Sequence, residues 1–262
     1  MNTPPPTSFN VLLLGDACID KYHYGFCERL SPEAPVPVLR HTRTEERDGM
    51  CLNVKNNLMA FGIRPDIYHN SMLLSKERFV DSKTKQHLMR FDKGEVNSSH
   101  PFSVSILKKL DIKRYDVVVV SDYNKGFIPD NVARLLAELC TSHTIPLFVD
   151  SKKRDLSCYE NAYLKINQKE YTEVKKFPLN YELIVTLGAD GARWGDQLFK
   201  TTPCEVFDVS GAGDTFLAAM VVEYLKTKSL PKAIEFANRC AGIVVQKFGT
   251  YVLQEKDLEN GN

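Results

Sequence analysis

Five short apolar runs, each ending in a polar residue or glycine, restrict this chain more than any other feature. Residues 11–14 (Val-Leu-Leu-Leu) end at Gly15 and Asp16, and the four valines 117–120 end at Ser121 and Asp122. Residues 145–149 (Ile-Pro-Leu-Phe-Val) end at Asp150, 162–166 (Ala-Tyr-Leu-Lys-Ile) at Asn167, and 183–186 (Leu-Ile-Val-Thr) just before Gly188. Strands that alternate apolar and polar residues have one wet face; near-continuous apolar runs of this length fit strands buried on both faces, as in a parallel sheet. Helical stretches such as 131–140 lie between several of the runs, the βα alternation of an α/β fold. In open α/β sheets ligands bind outside the carboxyl ends of the strands. Here those ends carry Asp16, Asp122, Asp150, Asn167 and Gly188, so a polar site is expected there.

Composition narrows the function classes. The chain has 262 residues, 43% hydrophobic and 26% charged, enough for a large core and ordinary for a globular enzyme. Lys plus Arg number 34 against 33 Asp plus Glu, a net charge of +1. No charge argument therefore points to nucleic acid or to an anionic membrane. Residues 1–8 hold three prolines and lack the basic-then-apolar pattern of a signal peptide. No apolar run approaches the ~18 residues of a membrane span. The seven cysteines are odd in number and without Cys-x-x-Cys spacing, which predicts reduced thiols in a cytoplasmic protein and neither a disulfide frame nor a zinc site.

The chemistry concentrates at Asp208-Val209-Ser210-Gly211-Ala212-Gly213-Asp214-Thr215-Phe216, followed by an apolar run to Leu225. That run predicts a buried helix starting near Gly211, with a basic end at Lys226 and Lys228. Small residues let the backbone approach a ligand, and the first helical turn offers unpaired N–H groups and partial positive charge, which suits a phosphate. A carboxylate beside a phosphate repels it. Asp214 makes sense there if it takes the proton from a hydroxyl that attacks the phosphate. The competing readings are a tight loop of small residues and a first-turn acid favoured by the helix dipole. The chain has no Walker loop, and Phe216 stands where a dinucleotide fingerprint needs its third glycine.

Residues 16–48 have a different texture. Pro32, Pro35 and Pro37 fall within six residues, which excludes a helix and demotes any strand to an edge. Val36, Val38, Arg40 and Thr42 then alternate with other side chains as a ribbon, and 85–92 form a second candidate. Two ribbons outside the main sheet predict a small flap over the site; the alternative is an ordinary surface hairpin.

Residues 208–214 resemble the Asp-Thr-x-Gly-Ala-Gly-Asp signature of the ribokinase-like (PfkB) sugar kinases. Position 209 holds Val, and Ser210 replaces Thr while keeping the hydroxyl. The resemblance implies a three-layer α/β/α sandwich with a mostly parallel sheet and a small β-sheet lid. It further implies a single kinase domain over 1–262, with lid segments at about 16–48 and 83–95. Asp214 is then the catalytic base, and Gly211, Ala212 and Gly213 form the anion hole. Gly15-Asp16-x-x-x-Asp20-x-Tyr22-x-x-Gly25 and the run Ser31-Pro-Glu-Ala-Pro-Val-Pro-Val38 are similar to the kinase domain of the bifunctional heptose kinase/adenylyltransferases. Ser121-Asp-Tyr-x-Lys-Gly126, Val149-Asp150 with Lys152, and 237–250 continue the likeness, which covers about residues 10–253. It implies ATP-dependent phosphorylation of the anomeric oxygen of D-glycero-D-manno-heptose 7-phosphate, on the way to ADP-heptose for lipopolysaccharide. No adenylyltransferase half is expected within these 262 residues.

By the same resemblance, Asp16, Asp20, Gly49 and Asn53 bind the sugar. Asn167, Glu170, Thr186, Gly188, Gly191 and Asn238 bind ATP, with Glu170 holding Mg²⁺ through water. Arg29, Arg40, Lys85 and Arg90 are the flap cations expected, as a group, to meet a distal phosphate. Read from the residues alone, Asn167 and Glu170 are equally a helix cap and a first-turn acid. Two departures stand out. Met50 occupies the second glycine of the family's Gly-Gly-Ala-x-Asn, and residues 62–85 span about half the usual length, as though one strand–helix unit were lost. These leave open a kinase for another sugar or nucleoside, or a non-catalytic sugar-phosphate-binding relative. The partners implied are small molecules, neither nucleic acid nor membrane, with the lid as a surface for a homodimer.

Overall fold

The computed structural model describes residues 9–72, 74–94, 100–254 and 256–257. All five apolar runs are strands, and they lie side by side: β1 (Val11–Gly15), β7 (Val117–Asp122), β8 (Leu147–Ser151), β9 (Ala162–Asn167) and β10 (Tyr181–Thr186). With β4 (Asp66–His69), β11 (Ala192–Trp194) and β12 (Gln197–Phe199) they build a sheet ordered β12-β11-β10-β9-β8-β7-β1-β4. It is parallel from β4 to β10 and antiparallel only at β11 and β12.

The continuous apolar character of these strands has a direct cause. Val11 and Leu13, Val117 and Val119 face one hydrophobic cluster, while Leu12 and Leu14, Val118 and Val120 face another. On the first face lie α1 (Cys51–Ala60), α5 (Ala212–Thr227) and α6 (Leu230–Val244); on the second lie α2 (Val104–Lys109), α3 (Asp130–Ser142) and the short α4 (Gln168–Glu173). The apolar residues on both faces of these strands pack into clusters shared with the helices, so the period-2 alternation disappears. The helix α5 is buried nearly all round, from Asp214 to Val222 and again at Leu225. Burying each of its large apolar side chains contributes roughly 1.5–3 kcal/mol, which makes it the central element of that layer.

A second sheet, ordered β3-β2-β5-β6, is the lid, built from β2 (Ala17–Leu30), β3 (Pro37–Met50), β5 (Leu74–Asp81) and β6 (His87–Lys93). The proline-rich stretch forms the connection between β2 and β3, closed by Ser31 N–H to Val36 C=O at 2.9 Å, and Pro37 opens β3. The shortened 62–85 stretch accounts for β4 and β5 together. The chain leaves the four-residue edge strand β4 and enters the lid within five residues, so 74–81 belongs to the lid, which extends it beyond the two segments expected from sequence. Of the second of those segments, 95 lies outside the described residues. The seven cysteines are free thiols. Among the described residues no helix is long and apolar enough to cross a membrane, and no cluster of three or more His, Cys, Asp or Glu is placed to hold a metal.

Candidate active site

The turn 211–213 sits where the strand ends converge. Gly211 caps α5 with φ 79°, and a Cβ built there would lie 2.6 Å from Asn53 Nδ2, so both conformation and space demand glycine. A Cβ on Gly213 would lie 2.9 Å from Lys165 Nζ. Ala212 donates its N–H to Val209 C=O at 3.2 Å, and Asp208 accepts from Ser210 N–H at 2.8 Å and from Gly249 N–H at 2.9 Å. The turn is thus braced from both sides.

Asp214 is 3% exposed. Its carboxylate accepts from Asn53 Nδ2 at 3.0 Å and from the Tyr123 hydroxyl at 2.8 Å. Burial pushes the group up to about 6, against the lowering effect of those two donors. Asn53 is oriented in turn: its Oδ1 accepts from Asn57 Nδ2 at 3.2 Å, and Thr215 Oγ1 donates to Asn57 Oδ1 at 3.3 Å. Asn53, Asn57 and Thr215 are fully buried, so this chain fixes the carboxylate relative to α1. Among the described residues no cation forms an ion pair with this buried carboxylate, although the Lys165 charge lowers it somewhat; raised to about 6, it is ionised at neutral pH. Those are the properties of a general base.

The other residues assigned to the sugar divide by role. Asp16 is fully buried, and its two oxygens accept from the N–H groups of Lys125 and Phe127 at 3.1 and 3.2 Å. It therefore braces the loop after β7, which delivers Tyr123, and burial raises it to about 6. Asp20 accepts from Arg78 Nη1 at 2.5 Å. Gly49 backs onto Asp20, since a Cβ there would meet Asp20 Oδ2 at 2.5 Å and Cys18 Sγ at 2.6 Å. Met50 adopts φ 56°, ψ −131°, a conformation suited to glycine, and is packed at 2% exposure against Cys18, Leu74 and Tyr123. It packs residues of the second sheet against Tyr123, the residue that bonds Asp214.

On the nucleotide side, Asn167 and Glu170 form a reciprocal capping box at the start of α4, each side chain bonding the other's backbone N–H at 2.9 Å. Glu170 also pairs with Lys152 at 2.5 Å, and Lys152 with Asp150 at 2.9 Å. Asp150 holds Lys165 at 2.6 Å, both at 2% exposure. Burial would raise Asp150, but the two lysines outweigh it and hold its carboxyl below the ordinary value. A chain of alternating charges thus runs from Glu170 to the underside of Gly213. Thr186 ends β10, and Gly188 (φ 63°) has open space around it, while Gly191 (φ 93°) packs against Phe199 C=O. Asn238 is buried and donates to Phe199 C=O at 2.8 Å, tying α6 to β12.

The flap cations read from the sequence are placed differently from expectation. Arg40 pairs with Glu28 and Arg90 with Asp92, all largely at the surface of the lid, Arg29 is exposed, and Lys85 stands 6.0 Å over the Tyr24 ring. Local carboxylates on the same or the next strand capture the two arginines, a pairing that reading one strand at a time does not reveal. Tyr123, Asn57, Lys165 and Arg47 were not singled out as site residues. Tyr123 carried a signal, since it follows the acid at the end of an apolar run. Arg47 had none: from β3 it donates to the carbonyls of Phe248 and Thr250 at 2.7 and 3.2 Å, clasping the second sheet to the loop that braces the 211–213 turn.

Comparison with known proteins agrees with this geometry. The profile of a family described as pfkB family carbohydrate kinase matches residues 78–257. Bifunctional protein HldE of Sulfurimonas denitrificans is 31% identical over 301 aligned positions, covering 95% of this chain and 63% of that protein. Its counterpart in Nitratiruptor is 33% identical, covering 95% and 64%. The chain therefore spans under two thirds of these relatives. Moreover, 95% of 262 residues is about 249, roughly fifty fewer than the 301 aligned positions, so it is also shorter within the matched span. Among solved structures, the tetrameric inhibited form of phosphofructokinase-2 from Escherichia coli superposes with TM-score 0.73 at 14% identity, covering 97% of this chain and 98% of that one. Arabidopsis thaliana ribokinase complexed with ribose and ATP gives 0.67 at 16%, covering 98% and 99%. The fold is the ribokinase-like α/β fold expected from sequence. Because the family profile spans more than half the chain and ends beyond the turn that carries Asp214, this protein belongs to the pfkB family of carbohydrate kinases and is a phosphotransferase.

Proposed function

We propose that the chain transfers the γ-phosphoryl group of ATP to a hydroxyl of a sugar phosphate, the best candidate being the anomeric oxygen of D-glycero-D-manno-heptose 7-phosphate. The observation that carries this reading is the buried Asp214 carboxylate, raised to about 6 and aimed by Asn53 and Tyr123 beside the 211–213 turn. Asp214 takes the proton of the attacking hydroxyl as its oxygen bonds to the γ-phosphorus, and the bond to the β-phosphate oxygen breaks to release ADP. Of the three N–H groups expected to form the anion hole, that of Ala212 is given to Val209 C=O, so those of Gly211 and Gly213, with Lys165 beneath, stabilise the charge on the transferring group. The heptose preference draws on the 16–38 motif and on the HldE relatives.

The donor set on the nucleotide side fits a magnesium ion held through water. It offers oxygen ligands at Asn167 and Glu170 but no dense carboxylate cluster. Such an ion, when bound, neutralises charge on the phosphates; Glu170 is the residue that would hold it. Thr186, Gly188 and Gly191 form the turn facing the nucleotide, with Asn238 supporting it. We read 1–262 as one cytoplasmic kinase domain with an inserted lid, whose exposed Phe26, Leu30, Met89 and Phe91 suit a second copy of the chain.

A second reading, a kinase for another sugar or nucleoside, is favoured by Met50, a long side chain in a glycine-like conformation at the position where the resemblance leads one to expect a glycine. ADP release measured across a panel of sugars, sugar phosphates and nucleosides tests both. Turnover of the heptose phosphate supports the first, and turnover of another acceptor alone supports the second. With no turnover by any acceptor, the fold is used for binding only.

A further inference from the structure

Leu74, Lys76, Arg78 and Val80 share one face of β5, and that face is turned toward the body of the protein. Leu74 packs with Cys18, Met50 and Tyr123; Arg78 bonds Asp20; Val80 joins Tyr22 and Tyr24. Lys76 therefore points into the cleft between lid and sheet, and its Nζ stands 5.1 Å from the centre of the Tyr123 ring. The hydroxyl of that same ring donates to Asp214 at 2.8 Å. One phenol ring thus separates the ammonium from the base, a span comparable with one pyranose.

Other cations around the cleft are already matched. Arg78 belongs to Asp20, Lys165 to Asp150, and Lys152 to Asp150 and Glu170. Among the described residues no carboxylate pairs with Lys76. It is only half-buried, and its neighbour Glu77 points to the opposite face, where it bonds His23. A phosphate dianion entering this cleft would meet one positive charge not yet neutralised, and that charge sits one sugar ring from the catalytic carboxylate.

We propose that Lys76 binds the phosphomonoester of a sugar-phosphate acceptor at the end remote from the attacking hydroxyl, and so sets a preference for phosphorylated over plain sugars. The proposal rests on the kinase reading above and identifies the residue that makes its acceptor a phosphate. It replaces the surface cations Arg40 and Arg90, whose charges are spent on Glu28 and Asp92.

The test is ADP release by the full chain with matched pairs: D-glycero-D-manno-heptose 7-phosphate against the free heptose, and fructose 6-phosphate against fructose. Wild type should prefer the phosphorylated member. Lys76→Met should lower kcat/KM for it by about 10- to 100-fold, chiefly through KM, the range for a charge-assisted hydrogen bond. The plain sugar should change by no more than about threefold, and Lys76→Arg should restore much of the loss. A wild type indifferent to the phosphate, or a Lys76→Met variant impaired equally on both members, overturns the proposal while leaving the kinase reading intact. If no acceptor supports ADP release, the kinase reading is what fails. Calorimetric binding of the two sugar phosphates then decides on Lys76: weakening in Lys76→Met supports it, and unchanged or absent binding refutes it.

Discussion

Replacing Asp214 by Asn should abolish most activity and at the same time stabilise the fold. The carboxyl is held at about 6 against an ordinary 3.8, and the first cause is burial. A shift of about two units corresponds to roughly 3 kcal/mol of strain in the ionised native state. The sign follows from linkage. The folded pKa lies above the unfolded one, so the stability that the protonated group contributes is present below about 3.8 and lost as pH rises through about 6. Above 6 wild type therefore carries the full penalty, and Asn does not. Against this stand the helix dipole, worth about 0.3–1 kcal/mol for a first-turn acid, and one of the two hydrogen bonds, since the amide presents one acceptor where the carboxylate presents two. Losing that bond costs about 1–2 kcal/mol. The net expectation is a gain of up to about 1.5 kcal/mol at pH 7.5. That is a melting temperature higher by up to roughly 6 °C for a chain of this size, shrinking toward zero near pH 4. Turnover should fall at least ~10²-fold, with ATP affinity little changed. Thermal melts across pH and single-turnover ADP release read both effects. A folded variant with near-normal turnover, or one less stable at pH 7.5 than at pH 4 relative to wild type, refutes the assignment of Asp214 as a strained base.

Three further substitutions test the surroundings of that carboxylate. Tyr123→Phe removes a donor that lowers Asp214, so the acid limb of the kcat–pH profile should move upward from about 6 by roughly one unit; an unmoved limb would remove Tyr123 from the site. Met50→Gly relieves a left-handed backbone, worth about 1–3 kcal/mol, while giving up the burial of one Met side chain, worth about as much. Unfolding free energy should therefore change little as KM for the preferred sugar falls, and a loss above about 2 kcal/mol with no change in KM would show Met50 to be purely structural. Glu170→Gln keeps a residue type compatible with the capping box, so melting should be nearly unchanged while the magnesium concentration for half-maximal rate rises. A wild-type magnesium dependence would make Glu170 a helix cap only.

The layered sheet was legible in the sequence because the cause is local. Residues 11–14 and 117–120 are apolar at every position, and such a run is satisfied only when both faces of a strand are covered. The small-residue turn before α5 was legible for the same kind of reason, since Gly211 needs a left-handed φ and no side chain whatever the rest of the chain does. The lid was legible in part. Its proline-rich connection shows in composition, but β5 does not, because Leu74, Lys76, Arg78 and Val80 mix apolar and basic residues on one face and acquire meaning only opposite Asp20 and Tyr123.

Tertiary structure alone decided how the site is wired. Asn53 and Tyr123 meet Asp214 across 161 and 91 residues of chain, and Arg47 reaches Phe248 across 201. Composition and spacing constrain which residues can lie near one another along a helix or strand. The energy of a buried charge depends instead on everything within a few ångströms of it, from whatever part of the chain it comes. Asp214 is therefore legible in the sequence as an acid at a helix start and a candidate base, but the raised pKa that suits that proposed role comes only from the fold, which removes it from water and sets two neutral donors against its oxygens.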